Sequence, residues 1–320
     1  MASSIDRIVD NSSSTAVCTL FEGDYHLGLA AFVNSLVHAG FAGTVWAGYR
    51  GDLPPWIDQL KRQQNPDGYL VTDQVRIIFL PIQTSLHFAN YKAQFMIDLL
   101  GSYACGCKYL WYFDPDIFLR CSWSHFEKWQ CYGIALCEEI INYQLAETSP
   151  LRLQWVEAGG KMGLGKPRLL NRYFNSGLVG ASPAHEELLQ LWKKIIEYAG
   201  TLGYDLATLQ PGSREMPFYG IDQDALNMAA MYTELPLTTM GPEAMGFVPS
   251  GFTMYHAVGE KPWRGSLLLR ALGGVPPSDA TKFFFTQVLS PIRPYSPISL
   301  GVKRFTCWIA ALIGRFYRRQ

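Results

Sequence analysis

Tyr109-Leu110-Trp111-Tyr112-Phe113-Asp114-Pro115-Asp116 is an aromatic, apolar run that ends abruptly in two carboxylates with one residue between them. The run reads as a buried strand, and in an open α/β sheet ligands bind in the crevice beyond the carboxyl ends of the strands. Two acids at such an edge suit a hard divalent cation, which takes oxygen ligands and keeps positions for substrate phosphates. Taken alone, Asp-Pro-Asp is equally good turn chemistry. The segments on either side have to discriminate.

On the N-terminal side, residues 17–20 form a short apolar strand and residues 21–25 a loop. Residues 27–39 carry Leu29, Phe32, Val33, Leu36 and Val37 at helical spacing, up to Gly40. Residues 44–47 and 75–80 read as further strands, and 91–100 as a helix leading into the 109–113 strand. This alternation predicts an α/β fold with a mainly parallel sheet and helices on both faces. On the C-terminal side, residues 142–172 hold Gly159, Gly160, Gly163 and Gly165 among scattered charges and read as an irregular, lid-like excursion. Gly163-Leu164-Gly165-Lys166 lacks the Walker spacing of a phosphate loop. A strand at 176–180, a helix at 186–198, a loop at 201–220 and a helix at 222–232 follow. Residues 236–300 carry Pro and Gly throughout and read as irregular.

With 320 residues, 48% hydrophobic and 17% charged, the chain can bury a large core in one or two domains. Its 27 basic and 27 acidic residues cancel, which gives no support to nucleic acid as a partner. Seven cysteines show no CxxC pattern, and the only close pair, Cys105-Gly106-Cys107, has no histidine cluster beside it. A reduced, cytoplasmic compartment is therefore expected rather than a zinc site or disulfide framework. Residues 1–15 are a polar, serine-rich tail without an apolar signal core. The last residues differ from the rest: Lys303-Arg304 precedes a ten-residue apolar, aromatic stretch, and Arg315, Arg318 and Arg319 close the chain. Residues 301–320 thus read as a basic amphipathic helix. It either lies on an anionic membrane surface or packs on the domain with an exposed basic tip.

Four segments carry the chemistry: Phe113-Asp114-Pro115-Asp116, Tyr173-Phe174-Asn175-Ser176-Gly177, Asp222-Gln223-Asp224-Ala225-Leu226-Asn227 and His256-Ala257-Val258-Gly259-Glu260-Lys261-Pro262-Trp263. In order and spacing they resemble the motifs of family 8 glycosyltransferases, the retaining GT-A enzymes that include glycogenin and lipopolysaccharide galactosyltransferases. The resemblance covers roughly residues 15 to 265. It implies a GT-A fold, a single Rossmann-like domain over residues 16–300 with a mixed, mainly parallel sheet flanked by helices. It also implies transfer of a sugar from a nucleotide-diphosphate sugar, a UDP-sugar, to a carbohydrate, lipid-linked or protein acceptor with retention of configuration.

Carried over residue by residue, the resemblance makes Asp114, Asp116 and His256 ligands of Mn²⁺ or Mg²⁺, the imidazole favouring Mn²⁺. The cation stabilises the leaving diphosphate as a Lewis acid. Lys261 matches the lysine that contacts the diphosphate, although the His-to-Lys gap is one residue shorter than the family pattern; Arg264 is the alternative. Asn175 is placed to bond sugar hydroxyls, or else satisfies a local turn. Asp222 binds donor hydroxyls (by position it also reads as an N-cap), Gln223 lies beneath the anomeric carbon, and Asp224 resembles an assisting acid. Tyr25 resembles the aromatic that stacks on the base, with Glu22 or Asp24 near uracil or ribose. Lys92 resembles a basic residue that reaches the donor. Glu138 and Glu139, after the strand-like run at 134–137, are candidates for donor hydroxyls. No evident nucleophile is present, which fits a same-face, ion-pair-like displacement; double displacement stays open.

Two rival readings use the same residues. An inverting GT-A transferase or a nucleotidyltransferase also needs acids and a metal, with Asp222 or Asp224 drafted as base. A catalytically silent GT-A-fold binding protein is the other rival, against which the joint presence of Asp114, Asp116 and His256 speaks.

Overall fold

The computed structural model describes residues 15–64, 67–139, 145–209 and 216–316. The polar tail up to residue 14, Arg318 and Arg319 lie outside the described residues. The N-terminal half alternates strand and helix: β1 (Thr15–Glu22), α1 (His26–His38), β2 (Gly43–Arg50), a hairpin of β3 (Lys61–Gln64) and β4 (Asp67–Leu70), β5 (Val75–Pro81) and α2 (Phe88–Asp98). The middle holds β6 (Tyr109–Phe113), β7 (Ile117–Leu119), α3 (Trp123–Trp129), β8 (Ile134–Glu138), α4 (Pro150–Lys161) and β9 (Phe174–Ala181). Then come α5 (Glu186–Thr201), α6 (Ile221–Tyr232), β10 (Leu237–Met240), β11 (Met254–His256), α7 (Leu267–Leu272), α8 (Asp279–Gln287) and α9 (Pro297–Ile313).

Nine strands form one sheet in the order β10-β8-β9-β6-β1-β2-β5-β4-β3. The central neighbours β6, β1, β2 and β5 run parallel, while β9 lies antiparallel between β6 and β8. The α/β reading, with a mixed and mainly parallel sheet, is what the structure has. β6 shows why: Leu110 and Tyr112 face one apolar layer, and Tyr109, Trp111 and Phe113 the other, as a strand buried on both faces requires. The first layer packs α2, α5 and α6 on the sheet through Phe95, Trp192 and Leu226; the second packs α1 and α3 through Phe32, Trp123 and Phe126.

Two expectations of irregularity are corrected. Within 142–172 lies α4, started by Ser149, whose hydroxyl accepts from the Arg152 amide at 3.3 Å, with Pro150 at the first helical position. Its glycines hide it from a propensity reading: a Cβ at Gly159 would lie 2.1 Å from the Tyr232 hydroxyl, so glycine there serves helix packing. Residues 236–300 also hold β10, β11, α7 and α8, short elements in which Ser266 and Ser278 act as caps. Asp222 is not a cap, because Gly220 holds that position and Asp222 is already helical.

The C-terminal segment is helical from Pro297, earlier than the expected boundary at 301. Leu300, Cys307 and Ala310 of α9 are buried with Phe284 and Trp263 in a third apolar cluster. The opposite side exposes Ile298, Val302, Phe305 and Trp308. Among the described residues no helix is long and apolar enough to cross a membrane. All seven cysteines are unpaired.

Candidate active site

The Asp-Pro-Asp turn closes where β6 leaves the sheet: the Asp114 amide donates to Gly177 O at 2.7 Å, and the Ile117 amide returns to Asp114 O at 3.1 Å. A two-stranded antiparallel ribbon then pairs Ile117 of β7 with His256 of β11, and the Ala257 amide donates to Asp116 O at 3.0 Å. This ribbon is how a histidine far along the chain reaches the two acids. His256 Nε2 lies 3.4 Å from Asp116 Oδ1 and 3.9 Å from Asp114 Oδ2. One ligand atom from each of the three residues lies within 4.8 Å of the others.

Two carboxylates and one imidazole are a donor set that fits a divalent metal ion. Among the described residues the buried His256 Nδ1 has no hydrogen-bond partner, which leaves that nitrogen uncommitted. Gly177 makes room for the cluster. A Cβ there would stand 2.7 Å from Asp114 Oδ2, 2.7 Å from Asn175 Oδ1 and 2.8 Å from His256 Cε1.

Two lysines neutralise these acids. Lys92, buried on α2, places its ammonium 3.0 and 3.2 Å from the two oxygens of Asp114 and 3.3 Å from Asp222 Oδ2. Lys261 lies 2.5 Å from Asp116 Oδ2 and also donates to Ala257 O at 2.9 Å. Burial would raise the Asp116 pKa, but His256 and Lys261 more than offset it and hold the carboxyl below the usual range. Burial likewise opposes charge on both lysines, and the facing carboxylates keep them protonated.

Beside these acids, β9 and the first turn of α6 form a hydrogen-bonded network. Ser176 Oγ donates to Asp222 Oδ2 at 2.5 Å. Gln223 Oε1 accepts from Asn175 Nδ2 at 3.0 Å and from the Ser176 amide at 3.2 Å. Asn175 Nδ2 also donates to the buried Glu139 at 2.9 Å, and Asn175 Oδ1 accepts from the Gly177 amide. Asp224 faces inward instead. It accepts from the Tyr173 hydroxyl at 2.6 Å and the Gly220 amide at 2.8 Å, and burial raises its pKa to about 6.

A cleft of about 310 Å³ is lined by Glu22, Tyr25, Lys92, Asp114, Asp116, Asn175, Asp222, Gln223, His256 and Lys261. Ten of the residues singled out in the sequence therefore meet on one surface. Asp24, Arg264 and Asp224 do not line it. Asp24 and Arg264 form an exposed ion pair beside Tyr25, whose ring the guanidinium carbon approaches to 5.0 Å. Glu138 pairs with Arg172 at 2.6 Å. Sequence reasoning did not find His87, Phe88 or Leu209, which also line the cleft, and it quoted Ser176 in a motif without giving it a role. His87 had a usable signal: it precedes α2, and its Nδ1 accepts from the Ala89 amide at 3.1 Å as a cap.

No protein-family model matches the chain. No curated protein matches it either. Solved structures do. The apo structure of the WbbM bifunctional glycosyltransferase superposes with a TM-score of 0.55 at 13% identity, over 92% of this chain and 52% of that one. The chain thus spans about half of WbbM's length. The galactosyltransferase LgtC in complex with donor and acceptor sugar analogues superposes with a TM-score of 0.50 at 14% identity, over 90% of this chain and 99% of LgtC. An active-site mutant of LgtC gives the same values. At such identities the likeness establishes the fold, the GT-A arrangement expected from the motifs.

Proposed function

We propose that this chain is a metal-dependent glycosyltransferase that moves a sugar from a UDP-sugar to an acceptor with retention of configuration, its catalytic unit spanning residues 16–300. The observation that carries the reading is the convergence of Asp114, Asp116 and His256 in a cleft that Asn175, Asp222 and Gln223 also line. The neighbouring solved structures are glycosyltransferases, one of them bound to donor and acceptor sugar analogues.

In this reading Asp114, Asp116 and His256 hold Mn²⁺ or Mg²⁺, and the imidazole favours Mn²⁺. When bound, the cation supplies Lewis-acid stabilisation of the departing diphosphate. Lys261 leaves Asp116 for the diphosphate, a compact point charge suited to phosphate oxygens. Tyr25 offers a ring for the base, and Glu22, at the end of β1, also lines the cleft. Asp222 accepts from sugar hydroxyls with the oxygen not taken by Ser176 and Lys92. Gln223, fixed through its oxygen by Asn175 and Ser176, lies under the sugar.

Retention is favoured over inversion by the state of the two acids that inversion would need. Asp224 spends both oxygens on Tyr173 and Gly220 and lines no part of the cleft, and Asp222 is tied to Lys92. The acceptor is a carbohydrate, lipid-linked or protein group. The outward stripe of α9 with Lys303, Arg304 and Arg315 supports peripheral contact with an anionic membrane, at the cytoplasmic face.

The test is calorimetric titration of UDP with and without Mn²⁺, followed by NMR of the anomeric configuration of the transferred or hydrolysed sugar. Metal-enhanced UDP binding and a retained anomer are expected. UDP affinity indifferent to Mn²⁺ overturns the metal site, and an inverted product overturns retention.

A further inference from the structure

Asn227 closes the 222–227 motif, but it is fully buried on α6 and lines no part of the cleft. What it does follows from the way β9 outlasts its neighbour. β6 pairs with β9 as far as Phe113 with Leu178, the Asp114 amide reaches Gly177 O, and the turn then carries the chain away. Further along β9, Tyr173 O faces β8 and accepts from the Glu139 amide at 2.8 Å. Alternation along a strand turns the N–H and C=O of Phe174 to the other edge, which β6 has left. The Asn227 carboxamide takes both groups. Its Oδ1 accepts from the Phe174 amide at 2.7 Å, and its Nδ2 donates to Phe174 O at 2.8 Å. Nδ2 also donates to Gln223 O at 2.8 Å, so both amide hydrogens are used. One buried side chain stands in for a strand and joins the backbone of Phe174 to that of Gln223.

We infer that Asn227 is a positioning residue for the reacting sugar: it sets Gln223 against Asn175 without itself touching the substrate. The inference rests on the UDP-sugar reading proposed above. Phe174 immediately precedes Asn175, whose Nδ2 meets Gln223 Oε1 at 3.0 Å, so the clamp holds the two segments that this side-chain bond spans. From α5, Trp192 Nε1 donates to Asp222 O at 2.7 Å and steadies the same turn of α6. Asp114, Asp116 and His256 sit on the turn after β6 and on β11, outside the clamp. Loss of the carboxamide leaves the Phe174 N–H and C=O buried and unpaired and frees α6 to shift on β9. A displacement of about 1 Å at a reacting centre is enough to cost rate heavily.

Asn227→Ser and Asn227→Asp test this in the full chain. The first shortens the side chain; the second keeps an acceptor for the Phe174 amide and removes both donors. Calorimetric titration of UDP in Mn²⁺ is combined with the hydrolysis kinetics of UDP-glucose, UDP-galactose, UDP-N-acetylglucosamine and UDP-xylose, at temperatures where circular dichroism shows folded protein. The variants are expected to bind UDP within about twofold of wild type, with kcat for hydrolysis at least about tenfold lower and KM little changed. In a Gln223→Ala background the same substitutions are expected to cost little more, because Asn227 acts through Gln223. An undiminished kcat overturns the inference. Equal losses of UDP affinity and kcat, or variants that do not fold, make Asn227 a purely structural residue and overturn it too, leaving the transferase reading standing. A wild type that binds UDP but hydrolyses none of these donors removes Gln223 from the reacting sugar, and the inference with it. Failure of the wild type to bind UDP overturns the transferase reading as well.

Discussion

Lys261 Nζ lies 2.5 Å from Asp116 Oδ2 across 145 residues of chain, so the cation nearest the Asp-Pro-Asp turn occupies an oxygen that the proposed divalent metal would also need. The two uses compete, and the substitution Lys261→Met separates them. Removing the ammonium frees Asp116 and is expected to leave Mn²⁺ affinity equal or higher. UDP affinity in Mn²⁺ is expected to fall on the order of tenfold, the scale of one lost charge-assisted phosphate contact. Electron paramagnetic resonance of Mn²⁺ with and without UDP reads both. Undiminished UDP affinity removes Lys261 from the diphosphate site.

Asp116→Asn preserves size and the acceptor for Lys261 but halves the carboxylate charge of the cluster. Metal-dependent transfer or donor hydrolysis should drop on the order of 100-fold or more, with the circular dichroism spectrum unchanged. Wild-type turnover in the variant would rule out Asp116 as a ligand.

Gly177→Ala probes the space in which the cluster sits. The added methyl would lie within 2.8 Å of Asp114, Asn175 and His256, so the turn and the histidine must part. Overpacking of this kind costs about 1–3 kcal/mol of stability. Mn²⁺ affinity is expected to fall as well, while UDP binding without metal changes less. Titration calorimetry at fixed pH distinguishes this from simple unfolding, and an unaltered Mn²⁺ affinity would show that the three residues do not share a ligand.

The sheet was legible because β6, β1 and β2 are continuous apolar runs joined to helices with clear spacing, and burial on both faces leaves little else for such runs to do. The acids were legible because Asp114, Asp116 and Asp222 sit at the ends or starts of those elements. The ribbon joining Ile117 to His256 was not, since three-residue strands carry no periodicity and their pairing is a tertiary fact. The consumption of Lys92 by three partners was equally hidden: a lysine on a helix reads as exposed until the strands around it are in place. The inward turn of Asp224 was hidden as well. It stands beside Gln223 in sequence, yet the 100° step of a helix turns it into the core toward Tyr173.

The outward face of α9 permits a test that deletion of residues 303–320 does not. Deletion would also strip Cys307 and Ala310 from the third apolar cluster. Phe305 and Trp308 are 64% and 60% exposed and stack on each other at 6.0 Å, so Phe305→Ser with Trp308→Ser changes the surface and not the core. The double variant is expected to lose co-sedimentation with phosphatidylserine vesicles at unchanged melting temperature. Equal sedimentation of wild type and variant excludes this face as the membrane contact.

Asp224 gives a pH signature of its own. Burial raises its pKa to about 6 in the folded protein, while an unfolded aspartate titrates near ~3.9. Between those values the folded state holds a proton that the unfolded state has released, so stability falls as pH rises through the window. The raised pKa therefore favours the fold fully below about pH 4, and that contribution is gone above about pH 6, a change on the order of 2–3 kcal/mol. Asp224→Asn abolishes the titration while an amide still serves Tyr173 and Gly220. Urea unfolding at pH 4, 5, 6 and 7 should show the wild type losing stability relative to the variant as pH rises, because all other titrating groups are common to both proteins. A difference that stays flat from pH 4 to 7 would mean that Asp224 is ionised throughout and is held by its two donors rather than neutralised by burial.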